Sequence, residues 1–219
     1  SSIGSGCFVR VNDKFVTSAV FGDACSDTPI DTYSISYSIK ATASKGQTLV
    51  LLPGVRQVNE VEVVSSTNIV GCKGSVIKRA GNYGMMLGVF FPNPVGVSIS
   101  GVEFDNNAPG TAGTHKYSIR IGNAKDVVLS GLRFFNGYDN AIQGNGPDGV
   151  YINSNAPDDI NNILVEDCEF DGFTRNGCSV TDGVNGLTFR GCTFKNNGLT
   201  GLDIEANTGS SVRVRNVIF

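Results

Sequence analysis

The stretch "NGCSVTDGVNGLTFRGCTFKNNGLTGLDIEAN", residues 176–207, decides the fold because it states one pattern twice. "NGCSV" is answered by "TGLDI" 24 residues later, and the phrase "LTFRGCTF" between them recurs along the chain. The copies are "VSISGVEF" from Val97, "VVLSGLRF" from Val127, "ILVEDCEF" from Ile163, "LTFRGCTF" from Leu187 and "VRVRNVIF" from Val212. Each ends seven residues after its first letter on a phenylalanine: Phe104, Phe134, Phe170, Phe194 and Phe219, with separations of 30, 36, 24 and 25. Phrases of constant length with variable insertions are the mark of a solenoid.

Inside the phrase, apolar residues fall at Leu187 and Phe189, then at Cys192 and Phe194. Two alternating pairs out of phase by one residue mean two short strands with a corner between them, since side chains on a strand alternate faces. The corner carries Gly101, Gly131 or Gly191, where a bend needs backbone angles open to glycine. A third strand lies between phrases: "DGVYIN" from Asp148, "NGCSVT" from Asn176 and "TGLDIE" from Thr200. Val150, Cys178 and Leu202 then form one inward column, and Ile152, Val180 and Ile204 the next. The expected class is all-β: a right-handed parallel β-helix whose equivalent residues stack about 4.8 Å apart, each phrase-ending phenylalanine on the next. "DTYSISYSIKATASKG" supplies a short capping α-helix, with Asp31 as N-cap, Ile35, Ile39 and Ala43 at helical spacing and Gly46 as stop. "TLVLLPG" follows as the first buried strand. Residues 1–27 are expected to be an extension, and residues 28–219 the β-helix, incomplete at its C-terminal end.

The totals fit one such domain. The chain has 219 residues, 40% of them apolar and 17% charged, with 28 Gly, 13 Phe and no Trp. A net charge of −3 offers no broad attraction for phosphate backbones, so nucleic acid is not an expected partner. No apolar run is long enough to span a membrane. The sequence starts at Ser1 without a signal peptide, which is expected of a processed product or a fragment. Of the six cysteines, Cys7 and Cys25 are the pair expected to form a disulfide. Cys168 and Cys192 share an inward column, read as small buried hydrophobes although close enough to bridge.

"IDTYSISYSIKATASKGQTLVLLPG", then "NIVGCKGSVI", the "GCTF"-type coils and "GLDIE" together resemble the pectate-lyase-like superfamily over residues 28–219. That group includes polysaccharide lyases, polygalacturonase-type hydrolases, alginate epimerases and bacteriophage depolymerase spikes. The resemblance implies an extended polysaccharide as partner, an extracellular or virion-associated setting and, by likeness to the spikes, a homotrimer or larger assembly. Several family motifs are missing: the Lys/Arg clusters and Asp-rich calcium sites of pectate lyases, the "DPH" of epimerases, and the Asp-Asp and Gly-His-Gly motifs of polygalacturonases.

Chemistry is expected on the outward columns of the third strand, which read Asp148, Asn176, Thr200; then Tyr151, Ser179, Asp203; then Asn153, Thr181, Glu205. The substrate-binding candidates are Asp148, Tyr151, Asn153, Asn176, Ser179 and Thr181, with the insertions "NNAPGTAGTHK" and "NGYDNAIQGNGP" walling a groove. Asp203 and Glu205, two apart on one strand, project from one face about 6.6 Å apart by strand rise, a separation suited to glycoside hydrolysis. Asp182 is a third catalytic candidate. A lyase instead needs a base and a cation beside a uronate carboxylate, roles open to Arg175, Lys195 or Tyr151. No cofactor or metal is expected, although calcium is an option where oxygens converge across coils. His115, the only histidine, reads as a plain loop residue. The alternative is a structural or glycan-binding module of a phage or cell-surface assembly that catalyses nothing.

Overall fold

The computed structural model describes residues 14–17, 31–81, 84–90, 92–107, 115–138, 146–154, 159–205 and 214–219. Its strands pair in parallel into three sheets that the chain visits in turn, coil after coil. One complete coil runs through Val95–Ser100, Glu103–Asp105 and Tyr117–Ile121. The next repeats it with Lys125–Ser130, Arg133–Phe135 and Asp148–Ile152. Among the described residues the first sheet has eight strands and the other two have six each, so the expected parallel β-helix is present. Strand Phe15–Thr17 pairs in parallel with Thr48–Leu51, so the first sheet begins inside the segment expected to be an extension. The expected Cys7 and Cys25 pair lies outside the described residues.

Two columns of left-handed backbone turn the chain. Gly101, Gly131, Asp167 and Gly191 stand at the corner inside the phrase with φ of 65°, 59°, 52° and 63°. A second column, five residues earlier, holds Gly96, Asp126, Asn162 and Gly186 with φ of 70°, 55°, 56° and 80°. Glycine meets this demand without a Cβ penalty, and Asn and Asp tolerate it through local hydrogen bonds. Asn162 also spans coils, donating from Nδ2 to Asp126 Oδ1 at 2.7 Å.

The interior is one apolar column set. Phe104, Phe134, Phe170 and Phe194 stack with ring centroids 5.1, 4.8 and 4.8 Å apart and planes within 17° of parallel. Such stacking adds about 0.5–1.5 kcal/mol per pair beyond area burial. The ladder also explains a glycine column that sequence spacing alone left unaccounted for. A Cβ on Gly149 would stand 2.9 Å from Phe170 Cδ1, and one on Gly177 would stand 2.8 Å from Phe170 Cβ and from Phe194 Cδ1. The third strand opens "DG", "NG" and "TG" because the phenylalanine side chains and, at Gly149 and Gly177, the carbonyl of the next coil's glycine occupy that space.

Phe219 departs from the expected ladder. Strand Val214–Ile218 pairs Val214 with Val184 and Val217 with Leu187, five residues out of the phrase alignment. Phe219 accordingly lies against Phe189 at 6.2 Å rather than on Phe194, and is 77% exposed. Its corner residue Asn216, φ 52°, falls in the Gly96 column. The two corner columns have the same signature, a left-handed residue followed by an inward apolar one, so "RNV" fits either.

The helix Asp31–Ala43 closes one end, burying Ile35, Ile39 and Ala43 and stopping before Gly46, φ 61°. None of the described helices is long and apolar enough to cross a membrane.

Candidate functional site

The third sheet carries the polar columns. Register pairs Tyr151 with Ser179 and Ser179 with Asp203, as the spacing predicts, and Arg120 precedes them in the same column. The corner glycine shifts the alternation: Asp148 points outward, Gly149 and Val150 face the core, and Tyr151 points outward again.

Asn176 organises the cluster. Its Nδ2 donates to Ser179 Oγ at 2.9 Å and to Asp203 Oδ2 at 3.0 Å. Its Oδ1 accepts from Thr200 N at 3.2 Å and from Thr200 Oγ1 at 3.0 Å. Its backbone N donates to Asp148 Oδ1 at 3.0 Å. Ser179 Oγ completes the chain by donating to Asp148 Oδ2 at 3.0 Å. Both amide hydrogens and both carbonyl lone pairs of the Asn176 side chain are used, which fixes its orientation. Asp203 and Asp148 are thereby held through one shared scaffold spanning three coils.

Asp148 is 0% exposed, and burial pushes its carboxyl up to about 6 against the pull of Arg175, whose Nε lies 3.6 Å from Oδ1. Arg175 in turn donates from Nη1 to His115 Nδ1. Burial and that guanidinium hold the imidazole below its ordinary pKa of 6.5, so His115 is neutral at pH 7. Tyr117 stacks on Tyr151 with centroids 4.5 Å apart, and its phenol is pushed up by burial first and by Tyr151 and Asp148 next. The buried Arg79 donates from Nη2 to the Tyr117 carbonyl at 2.8 Å and from Nε to Asn106, tying this strand to the coil before it. Beyond Arg120, whose guanidinium lies 5.3 Å from the Phe90 ring centre, a cleft of about 150 Å³ opens between Phe90, Arg120, Asn153 and Asp159.

Residues 87–219 match the family described as the right-handed β-helix region. The chain belongs to that family. Among solved structures, this β-helix is similar to a candidate glycosyl hydrolase from Parabacteroides merdae at 14% identity. The TM-score is 0.61, over 94% of this chain and 96% of the other. It is also similar to the Agl-KA catalytic domain at 13% identity and TM-score 0.55, over 95% of this chain and 37% of that one. At such identities the likeness shows the fold. No curated protein matches the sequence.

The β-helix treats the sequence candidates unequally. Tyr151, Asn153 and Arg175 are half-buried, Asp203 is half-buried and Glu205 is exposed, with the Glu205 N–H on Val180 O at 2.9 Å. Asp148, Asn176, Ser179, Thr181 and Asp182 are buried, so the expected open polar surface is instead a closed network beneath the more exposed groups. Asn153 Nδ2 and Tyr151 Oη both reach Thr181 Oγ1, at 2.7 and 3.4 Å. Lys195 is elsewhere: it sits on the second sheet, paired with Glu169 and Asp171 at 3.3 and 3.5 Å. The loops expected to wall the groove fall largely in residues 108–114 and 139–145, outside the described set. Sequence reasoning missed His115 and Arg120. Arg120 had a signal, since it lies in the outward column one coil before Tyr151; His115 had none, because its approach to Arg175 crosses 60 positions. Among the described residues, no group of three or more His, Cys, Asp or Glu gathers to hold a metal.

Proposed function

We propose that this β-helix binds an extended polysaccharide along the third sheet and hydrolyses it with Asp203 and Glu205. The observation that carries the reading is the Asn176 Nδ2 bond to Asp203 Oδ2 at 3.0 Å, backed by Ser179 and Asp148. The fixed amide donor holds the Asp203 carboxyl in one orientation, as a general base or nucleophile requires. Glu205, two residues on and more exposed, is the group able to protonate the leaving oxygen. Their strand spacing of about 6.6 Å leaves room for a water and corresponds to inversion at the anomeric carbon. Tyr151, Asn153 and the Phe90 cleft offer flat and hydrogen-bonding contacts for neighbouring sugars. The glycosyl hydrolase description of the Parabacteroides merdae neighbour is in keeping with this reading.

The test is incubation with a panel of neutral and acidic glycans, following chain shortening and the anomer first released. Asp203→Asn and Glu205→Gln should each lower kcat by at least about 100-fold. Full activity in both variants rejects the assignment. A second reading rests on the neutral His115 against Arg175: a base beside a cation is what β-elimination from a uronate needs. Unsaturated, ultraviolet-absorbing ends on the products would select it.

A further inference from the structure

We propose that Cys168 and Cys192 form a thiol exchange site, which a soluble disulfide such as oxidised glutathione closes into a covalent bridge between successive coils. The column Ser75, Val102, Leu132, Cys168, Cys192 follows from the strand register, with Cys72 three residues ahead of it, and its last two members are cysteines on consecutive coils. Register pairs Glu169 with Thr193 and Phe170 with Phe194, and Thr193 N–H donates to Cys168 O at 2.8 Å. Paired strands stand about 4.8 Å apart, inside the Cα separation of about 4.4–6.8 Å that a disulfide spans. The neighbouring Phe170 and Phe194 rings, 4.8 Å apart, hold the corner at that spacing.

Both thiols are free, and they differ in environment. Cys168 is buried, with the carbonyls of Glu166 and Leu129 at 3.2 and 3.6 Å from Sγ. Cys192 is half-buried, facing the carbonyls of Val165 and Arg190 at 3.4 and 3.6 Å. The neighbouring Cys168 thiol favours a thiolate on Cys192 by more than burial opposes one. Cys192 is therefore the more acidic and the more accessible partner, and Cys168 is pushed up. The thiolate is the nucleophile in exchange. Cys192 accordingly attacks first: its sulfur bonds to one sulfur of glutathione disulfide, the S–S bond breaks, and one glutathione leaves as a thiolate that takes a proton. Cys168 then loses its proton to solvent, bonds to Cys192 Sγ and expels the second glutathione. Two protein thiols are oxidised as one disulfide is reduced to two thiols.

The experiment treats the folded chain with oxidised glutathione, quenches with acid at intervals and digests with trypsin, which cuts after Arg133, Arg175, Arg190 and Lys195 and so separates the two cysteines. The expected product is a linked pair of peptides 134–175 and 191–195, preceded by a glutathione adduct on 191–195. Its closure should raise the urea midpoint, and dithiothreitol should reverse that rise. Cys168→Ala should stop at the adduct, Cys192→Ser should lose both products, and Cys72→Ser should lose neither. Circular dichroism establishes that each variant is folded. An adduct on wild-type Cys192 that never closes, or linkage of Cys192 to any other cysteine in the folded chain, overturns the proposal.

Discussion

Replacing Asp148 with asparagine should change how the stability of the fold depends on pH, and the size of the change follows from burial. A carboxyl shifted from its ordinary 3.8 to about 6 holds its proton more tightly in the folded chain than in the unfolded one. Each pH unit of that difference is worth 1.36 kcal/mol, so the whole is about 3 kcal/mol. Because the folded state binds the extra proton, the contribution is fully present below pH 3.8 and is lost as pH rises through about 6. A side-chain amide carries no titratable proton, so the variant Asp148→Asn lacks this slope. The amide also accepts less well from the Asn176 N–H and Ser179 Oγ, a loss of about 1–3 kcal/mol that does not vary with pH. Urea denaturation of both proteins at intervals from pH 3.5 to 7.5 separates the two effects. The stability difference between them should shift by about 3 kcal/mol in favour of the variant across that window. Parallel curves would refute the claim that Asp148 is buried beside an incompletely compensating Arg175.

Three further outcomes follow from the packing. Phe134→Ala, in the middle of the ring ladder, should cost about 3–5 kcal/mol in urea unfolding, whereas Phe219→Ala, at 77% exposure, should cost well under about 1 kcal/mol. Gly177→Ala places a methyl 2.7 Å from Gly201 O and 2.8 Å from Phe170 Cβ and Phe194 Cδ1, so it should destabilise by about 1–3 kcal/mol although its backbone angle suits alanine. Arg133→Ala removes contacts to Glu169 at 3.0 Å and Glu103 at 3.4 Å on an exposed face. It should cost less than about 1 kcal/mol, and 1 M salt should erase most of that loss.

The candidate site was legible only in part. Places within a column across successive strands were readable: Tyr151, Ser179 and Asp203 occupy the column that their spacing predicts. Their depth was not. Ser179 reads as a small exposed hydroxyl, yet it lies between Tyr151 and Asp203 and bonds to a buried carboxylate. The Asp203 and Glu205 pairing came from strand alternation, a property of neighbouring residues. The stronger tie of Asp203, to Asn176 one coil earlier, depends on where a circuit of the coil returns the chain. His115 meeting Arg175 is further removed again from anything local.

The amino-acid order alone determined the repeating coil, its inward columns, the ring ladder through Phe194 and the helical cap, because side-chain alternation, left-handed corners and helix periodicity act between residues a few positions apart. Tertiary structure decided the seat of the last strand, where two identical corner signatures five residues apart both accept Asn216. It also decided which polar groups are buried together and which face outward. Those outcomes are set by how each coil closes over the previous one, and contacts across coils carry no signature within a single turn of the chain.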